Sequence, residues 1–128
     1  MNDMGLVEEF LSEIKETFPE VAVFIDNSRR ETGFTEEDKM FTCDMEAFSQ
    51  ATTDEIRKLN IETATSHLNY MSKKLKNAEP IIHEYIDIYY VELLMWDIDD
   101  KKIFRQGWEL MPQNLKELYI AMWGKPDL

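Results

Sequence analysis

The chain has 128 residues, with 26 acidic and 14 basic side chains and a formal net charge of -12. The length suits one domain rather than two, and 44% hydrophobic residues indicate a globular protein rather than a disordered one. So negative a surface repels phosphate, which disfavours non-specific binding to nucleic acid or to anionic membranes and favours a basic partner.

The N-terminal third predicts one clear helix and one ambiguous segment. Apolar side chains recur at helical spacing over residues 4–18, at Val7, Phe10, Leu11, Ile14 and Phe18. Pro19 ends this helix, because the residue before proline avoids helical geometry. The apolar run 21–25 fits a short strand or a buried helix, and we favour a helix because no second convincing strand could pair with it. Residues 26–33 predict a loop.

The middle of the chain predicts two further helices. Residues 35–38 (Thr-Glu-Glu-Asp) resemble a capping box. The helix after them is predicted to bury Phe41, Met45 and Phe48. Thr52 or Thr53 would then cap another long helix. That helix carries a stripe of Ile61, Ala64, Leu68, Met71 and Leu75.

The C-terminal part predicts a central apolar helix and a final amphipathic one. Pro80 fits the first position of the former. Its core stripe is predicted at Ile82, Tyr85, Ile86, Tyr89 and Leu93. Residues 97–107 predict a loop, Pro112 opens the last helix and Gly124 ends it. The pattern as a whole predicts an all-α protein, a compact single-domain bundle of five or six helices over residues 1–128.

One pattern on the Pro80 helix imitates part of a zinc-binding motif. His83 and Asp87 are four residues apart, so they share a helix face and could hold one metal ion. A third ligand would have to come from His67 or a distant carboxylate, because two ligands do not make a site. The alternative is a surface His–Asp pair beside the core stripe, without a metal.

Other catalytic chemistry is scarce in the sequence. The aspartates within residues 97–100 begin like a calcium loop, but Lys102 and Trp108 stand where an EF-hand needs Gly and Glu. The one cysteine, Cys43, has an acidic neighbour and no nearby His, which is not the setting of an activated thiol, and we expect a buried structural thiol. No nucleophile elbow and no phosphate-binding glycine loop occurs. We therefore expect no enzyme and no cofactor.

Cysteine usage and the N-terminal segment predict a location. A single cysteine cannot form an internal disulfide, which fits a reducing compartment. The first ten residues are acidic and lack the apolar stretch of a signal peptide, and no apolar run reaches the roughly 18 residues of a membrane span. We expect a cytoplasmic protein.

Aromatic side chains concentrate in the C-terminal half. They are Tyr85, Tyr89, Tyr90, Trp96, Phe104, Trp108, Tyr119 and Trp123. Most fall on helix stripes, which predicts a place in the core. Any that reach the surface would be suited to anchoring a protein interface.

Short segments carry a resemblance to a family of small bacterial proteins with no assigned activity. The segments are FPE at 18–20, IDIYYVELL at 86–94, WELMP at 108–112 and LKELY at 115–119. The resemblance implies a compact helical domain without known catalytic or cofactor residues. Its members look like small acidic proteins encoded beside bacterial toxins, which implies an immunity role. It supplies no functional residues to carry over.

Our leading hypothesis is a non-enzymatic protein that binds a protein partner, with a basic toxin as the specific candidate. The N-terminal 38 residues are the most acidic part of the chain, and their carboxylates are the predicted contacts: Glu8, Glu9, Glu13, Glu36, Glu37 and Asp38. The alternative is a metal-binding bundle or metal-dependent enzyme centred on His83 and Asp87. A third hypothesis is a structural homo-oligomer, since the sequence does not determine the oligomeric state.

Overall fold

The fold consists of helices joined by short connections. The computed structural model describes residues 2–35 and 37–128, and every regular element within them is helical. These residues form seven α-helices: α1 (Asp3–Thr17), α2 (Pro19–Thr32), α3 (Phe41–Arg57), α4 (Ile61–Leu75), α5 (Pro80–Glu84), α6 (Lys101–Leu110) and α7 (Gln113–Trp123). A π-helical stretch, Tyr85–Val91, continues α5. The predicted all-α class is confirmed, and the predicted count of five or six helices is too low.

Helix α3 lies at the centre of the packing. It contacts α1, α2, α4, α6 and the π-helical stretch, and ten of its 17 residues are buried. One apolar cluster extends from Val7 on α1 to Leu115 on α7, and the predicted core residues Phe41, Met45 and Phe48 belong to it. Within the part of the chain that the structure describes, no helix is both long and apolar enough to cross a membrane.

Helix α2 is longer than its sequence pattern indicates. The helix favoured for residues 21–25 is confirmed, but the predicted loop over 26–33 is wrong because α2 continues to Thr32. Its polar residues form the outer face of a helix whose inner face buries Val21 and Ile25. The helix ends at Gly33, which adopts a φ of 82° and lets the Phe34 N–H donate to the Arg29 carbonyl at 2.8 Å.

The predicted capping box forms a turn and does not start a helix. The Asp38 carboxylate accepts from the Thr35 backbone N–H at 2.7 Å, as the acid of a capping box does. Glu36 lies outside the described residues. Helix α3 starts only at Phe41, with Met40 in the capping position and no side-chain cap.

Neither Thr52 nor Thr53 caps a helix, so that prediction is wrong. Both are fully buried inside α3, which runs on to Arg57, and the next helix starts at Ile61. Their hydroxyls have partners from other parts of the chain; the Thr53 Oγ1 accepts from the backbone N–H of Met95 at 3.0 Å. Buried hydroxyls with such partners are stable within a helix.

The π-helical stretch shifts the core stripe predicted after Pro80. Tyr85 and Ile86 are buried as predicted, but Ile82 before the π-helical stretch is only half-buried. Tyr89 and Leu93, further along, are also only half-buried. Beyond Ile86 the core positions are taken by Tyr90, Val91, Leu94 and Met95. Hydrogen bonds from residue i to i+5 insert an extra residue into each turn, so the inward face moves along the chain.

The predicted loop over residues 97–107 is also wrong, because α6 occupies most of it. Asp100 caps this helix by accepting from the backbone N–H groups of Lys102 at 2.9 Å and Ile103 at 3.1 Å. Gly107 is buried inside α6, where a Cβ atom would lie 2.5 Å from the Sδ of Met95 and 2.8 Å from the Cγ2 of Ile56. The glycine is therefore needed for close packing and not for a helix end.

Candidate functional site

A chain of hydrogen bonds crosses the interior from α2 to the π-helical stretch. The Nε2 of His67 lies 3.2 Å from a carboxylate oxygen of Glu20, and its Nδ1 lies 3.0 Å from the Thr52 hydroxyl. The Thr52 hydroxyl is in turn 2.8 Å from that of Tyr90. All groups are satisfied when Tyr90 donates to Thr52, Thr52 donates to Nδ1, and Nε2–H donates to Glu20.

Burial controls the protonation of these hydrogen-bonded side chains. It lowers the pKa of His67, although the hydrogen bond to Glu20 opposes the effect, and it raises the pKa of Tyr90. His67 and Thr52 are fully buried, so a substrate cannot reach the threonine oxygen. The carboxylate–imidazole–hydroxyl order resembles a catalytic relay, but here it satisfies buried polar groups.

The predicted metal ligands lack a third partner within the described residues. His83 is exposed and Asp87 is half-buried. Both ring nitrogens of His67, the proposed third ligand, are already hydrogen-bonded to Thr52 and Glu20. Across residues 2–35 and 37–128 no group of three or more His, Cys, Asp or Glu side chains is placed to hold a metal ion.

The predicted acidic contacts fall on two separate elements. Glu8 and Glu9 are exposed on α1, and Glu37 and Asp38 are exposed in the connection between α2 and α3. Glu36 falls outside the residues that the structure describes, so its position stays a prediction.

Glu13 differs from the other predicted contacts because it is already engaged inside the molecule. Its carboxylate lies 2.5 Å from the Nζ of Lys74 and accepts from the Tyr70 hydroxyl at 2.8 Å. The hydrogen bond from Lys74 lowers the pKa of Glu13. This carboxylate links α1 to α4 and is less available to a partner than its exposed neighbours.

A groove between α2 and α3 was not anticipated from the sequence. Its volume is about 620 Å³. We call it the α2–α3 groove, and its walls include Phe24, Ser28 and Glu31 from α2 and Cys43, Glu46 and Gln50 from α3. The helical spacing of these residues was the available signal, and it was missed because residues 26–33 were interpreted as a loop.

Trp96 lines the α2–α3 groove at its Gln50 end. Its side chain is 66% exposed, and its indole N–H donates to the Oε1 of Gln50 at 2.9 Å. The preceding residue, Met95, is buried and has a φ of 61°, an unusual value for a residue other than glycine. The bond from Met95 to the Thr53 hydroxyl holds this backbone in place, which directs Met95 inward and Trp96 outward.

Trp123 is the second exposed tryptophan. It is 59% exposed, and its indole N–H donates to the Glu92 carbonyl at 2.9 Å. Together with Trp96 and Tyr119 it lines a smaller cavity of about 240 Å³. The prediction of a core position is thus confirmed for Tyr85 and Tyr90, which are buried, while these two tryptophans lie on the surface.

A family model described as a domain of unknown function, DUF7674, matches residues 11–124. The chain belongs to this family. Neither a curated protein nor a solved structure matches it. The match confirms the expected kinship with an uncharacterised family. The DUF7674 region contains the whole α2–α3 groove and the buried hydrogen-bond chain, whereas Glu8 and Glu9 precede it.

The groove of this DUF7674 chain is lined by acidic, polar and apolar side chains. Its residues include two carboxylates, Glu31 and Glu46, and none of those lining it is Lys or Arg. Phe24, Ala47 and Leu93 provide apolar surface. A surface of this composition can bury an apolar side chain while attracting a cation beside it.

Proposed function

We propose that the protein is a non-enzymatic domain that binds a basic protein partner in the cytoplasm. The observation that carries the proposal is the exposed Trp96 at the end of the acidic α2–α3 groove. Tryptophan, like tyrosine and arginine, is enriched among the residues that dominate the binding energy of protein interfaces. The proposal treats residues 1–128 as one domain, and the apolar cluster that joins α1 to α7 supports this.

Charge supports a basic partner over the other ligand classes. The net charge of -12 opposes nucleic acid and anionic substrates, and it attracts a cationic protein from a distance. The only His–hydroxyl arrangement described above is buried, so it offers no support for hydrolytic chemistry. A cytoplasmic location agrees with the single thiol, Cys43, which has no disulfide partner.

The specific form of the proposal is neutralisation of a basic toxin. Exposed carboxylates at Glu8, Glu9, Glu37 and Asp38 could cover the active site of a nucleic-acid enzyme by imitating phosphate charge. Glu13 contributes less, because Lys74 already neutralises it. This immunity role rests on the charge distribution and on the resemblance described from the sequence.

Co-expression with the product of the neighbouring gene tests this function. We expect that product to be retained by the tagged protein, and a toxic one to lose its toxicity. The affinity should fall as salt rises, and it should fall in the double variant with Glu8→Lys and Glu9→Lys. An affinity that ignores both salt and charge reversal contradicts the electrostatic proposal.

A further inference from the structure

The α2–α3 groove has the geometry of a binding site for a third helix. Helices α2 and α3 run antiparallel: Arg29 pairs with Asp44 near the connection, and Phe18 packs on Phe48 at the far end, with ring centroids 5.9 Å apart. On each helix the groove residues recur at intervals of three and four, so each helix presents one continuous stripe. The stripe from Phe24 to Glu31 spans roughly 10 Å, or two helical turns.

The side chains of the groove indicate which pattern of apolar and charged residues that helix would have. Phe24, Ala47 and Leu93 provide apolar contacts, while Glu31 and Glu46 provide negative charge. An amphipathic helix with an apolar stripe and basic residues beside it matches both features. An acidic helix would meet repulsion from the carboxylates, and a wholly polar one would leave the apolar residues uncovered.

We infer that the α2–α3 groove receives an amphipathic helix of the partner, with its apolar stripe on Phe24 and Leu93 and its Lys or Arg side chains facing Glu31 and Glu46. The indole of Trp96 covers the end of that helix. This inference rests on the proposed function in one respect, namely that the partner is basic. It adds the binding site, the secondary structure of the bound segment and the order of its side chains.

Cys43 is half-buried and not fully buried as the sequence predicted, and it lines the groove. As the one cysteine of the chain, it reports directly on occupancy of the groove. The probe is a synthetic peptide of roughly 14 residues, about four helical turns, with leucines at i, i+3, i+4 and i+7 and lysines elsewhere. One control peptide has the same composition in scrambled order, and another has glutamate in place of lysine. The measurement is the rate at which iodoacetamide alkylates Cys43 in the intact protein.

We expect the Leu/Lys peptide to protect the thiol. At a peptide concentration about ten times the Kd, about a tenth of the grooves are empty, so the alkylation rate falls about tenfold. The scrambled and the Leu/Glu peptides should leave the rate unchanged. Protection by the Leu/Glu peptide equal to that by the Leu/Lys peptide would overturn the inference.

Variants locate the binding on the protein. Trp96→Ala should weaken peptide binding about thirtyfold, since truncation of an aromatic anchor typically has this effect. The pair Glu31→Lys and Glu46→Lys should weaken it about tenfold or more. The matched control is Glu109→Lys with Glu117→Lys, two exposed acids outside the groove lining that change the net charge equally, and it should alter the Kd about twofold or less at physiological salt. Circular dichroism verifies that each variant is folded.

The inference and the proposed function can fail separately. The groove is not the binding site of the peptide if the Leu/Lys peptide binds but leaves Cys43 fully reactive, or if both charge-reversal pairs weaken peptide binding equally. In either case the proposal of a basic partner remains supported. If the alkylation rate without peptide falls as protein concentration rises, and light scattering shows a dimer, a second copy occupies the groove and the inference is overturned. If the peptide protects Cys43 while no neighbouring gene product binds, the groove inference holds and the toxin proposal fails.

Discussion

Replacing Asp44 by asparagine probes an ion pair that is largely removed from water. The Nε and Nη2 of Arg29 donate to the two carboxylate oxygens of Asp44, both at 2.8 Å, and the two side chains are 11% and 5% exposed. The remaining Nη1 donates to the carbonyls of Thr35 and Asp38 at 2.6 and 2.8 Å. One guanidinium therefore joins α2, α3 and the connection between them.

The expected loss of stability follows from this geometry. Breaking a buried ion pair by removing one charge costs about 3–5 kcal/mol, because the other charge stays buried without a partner. The amide that replaces the carboxylate would still accept one hydrogen bond, and Nη1 keeps its two carbonyls, so we expect about 3 kcal/mol for Asp44→Asn. A domain of this size is typically stable by about 5–15 kcal/mol, so the variant should fold with a melting temperature lower by roughly 10 °C.

The assay is urea unfolding followed by circular dichroism, with Asp26→Asn as the matched control. Asp26 also pairs with a base, Lys15, but at 3.4 Å and with side chains 55% and 35% exposed. We expect a loss below about 1 kcal/mol for this control, and salt should abolish it. The loss at Asp44 should persist at high salt. Equal losses for the two variants would refute the argument that burial makes the Arg29 pair strong.

Three further measurements test the interior and the metal hypothesis. Burial lowers the pKa of His67, so the imidazole is protonated more readily in the unfolded chain than in the folded one, and the free energy of unfolding should decline as the pH falls below about 6.5, by at most about 1.4 kcal/mol per pH unit from this group. The control is His83→Gln, which should show the same decline. A free energy of unfolding that stays constant between pH 7 and pH 5 would contradict this prediction. Gly107→Ala should lower the free energy of unfolding in urea by about 1–2 kcal/mol, because crowding against Met95 and Ile56 exceeds the gain of about 1 kcal/mol in helix propensity. A rise would show that both side chains move aside freely. Protein purified without chelator should contain no stoichiometric metal by mass spectrometry and keep its melting temperature in zinc or manganese; bound metal lost in His83→Gln would support the His83–Asp87 hypothesis.

Helix positions with strong local signals could be predicted from the sequence. Pro19 separates α1 from α2, Pro80 begins α5, and Gly124 ends α7 with a φ of 82°. Each signal depends on the residue and its immediate neighbours, because proline lacks an N–H and glycine tolerates positive φ. These features do not require knowledge of the rest of the fold.

The polar stretches were misjudged for one physical reason. Residues 26–33 have no large apolar side chain, and those within 97–107, namely Ile98, Ile103 and Phe104, are only partly buried, yet most of each stretch lies in α2 or α6. Both helices have one narrow buried side and a wide solvated one, and packing against α3 supplies the stability that propensity alone does not. Local composition therefore underestimates helices whose support comes from a distant element.

The candidate site illustrates the same limit. Gln50 and Trp96, which hydrogen-bond at the end of the groove, are 46 residues apart in the chain. The acidic residues Glu31 and Glu46 gave no separate signal in a sequence that contains 26 acids. Only the antiparallel packing of α2 on α3 brings them to one surface.

The sequence by itself determined the helical class, the acidic surface and the helix ends marked by proline or glycine, since these depend on spacing and residue type alone. The tertiary structure decided which polar groups lie inside and which aromatic groups lie outside. Thr52 and His67 are buried because each supplies the hydrogen bond that the other needs, and Trp96 is exposed because Met95 occupies the core beside it. Such choices depend on partners far apart in the chain, and so they follow from packing and not from periodicity.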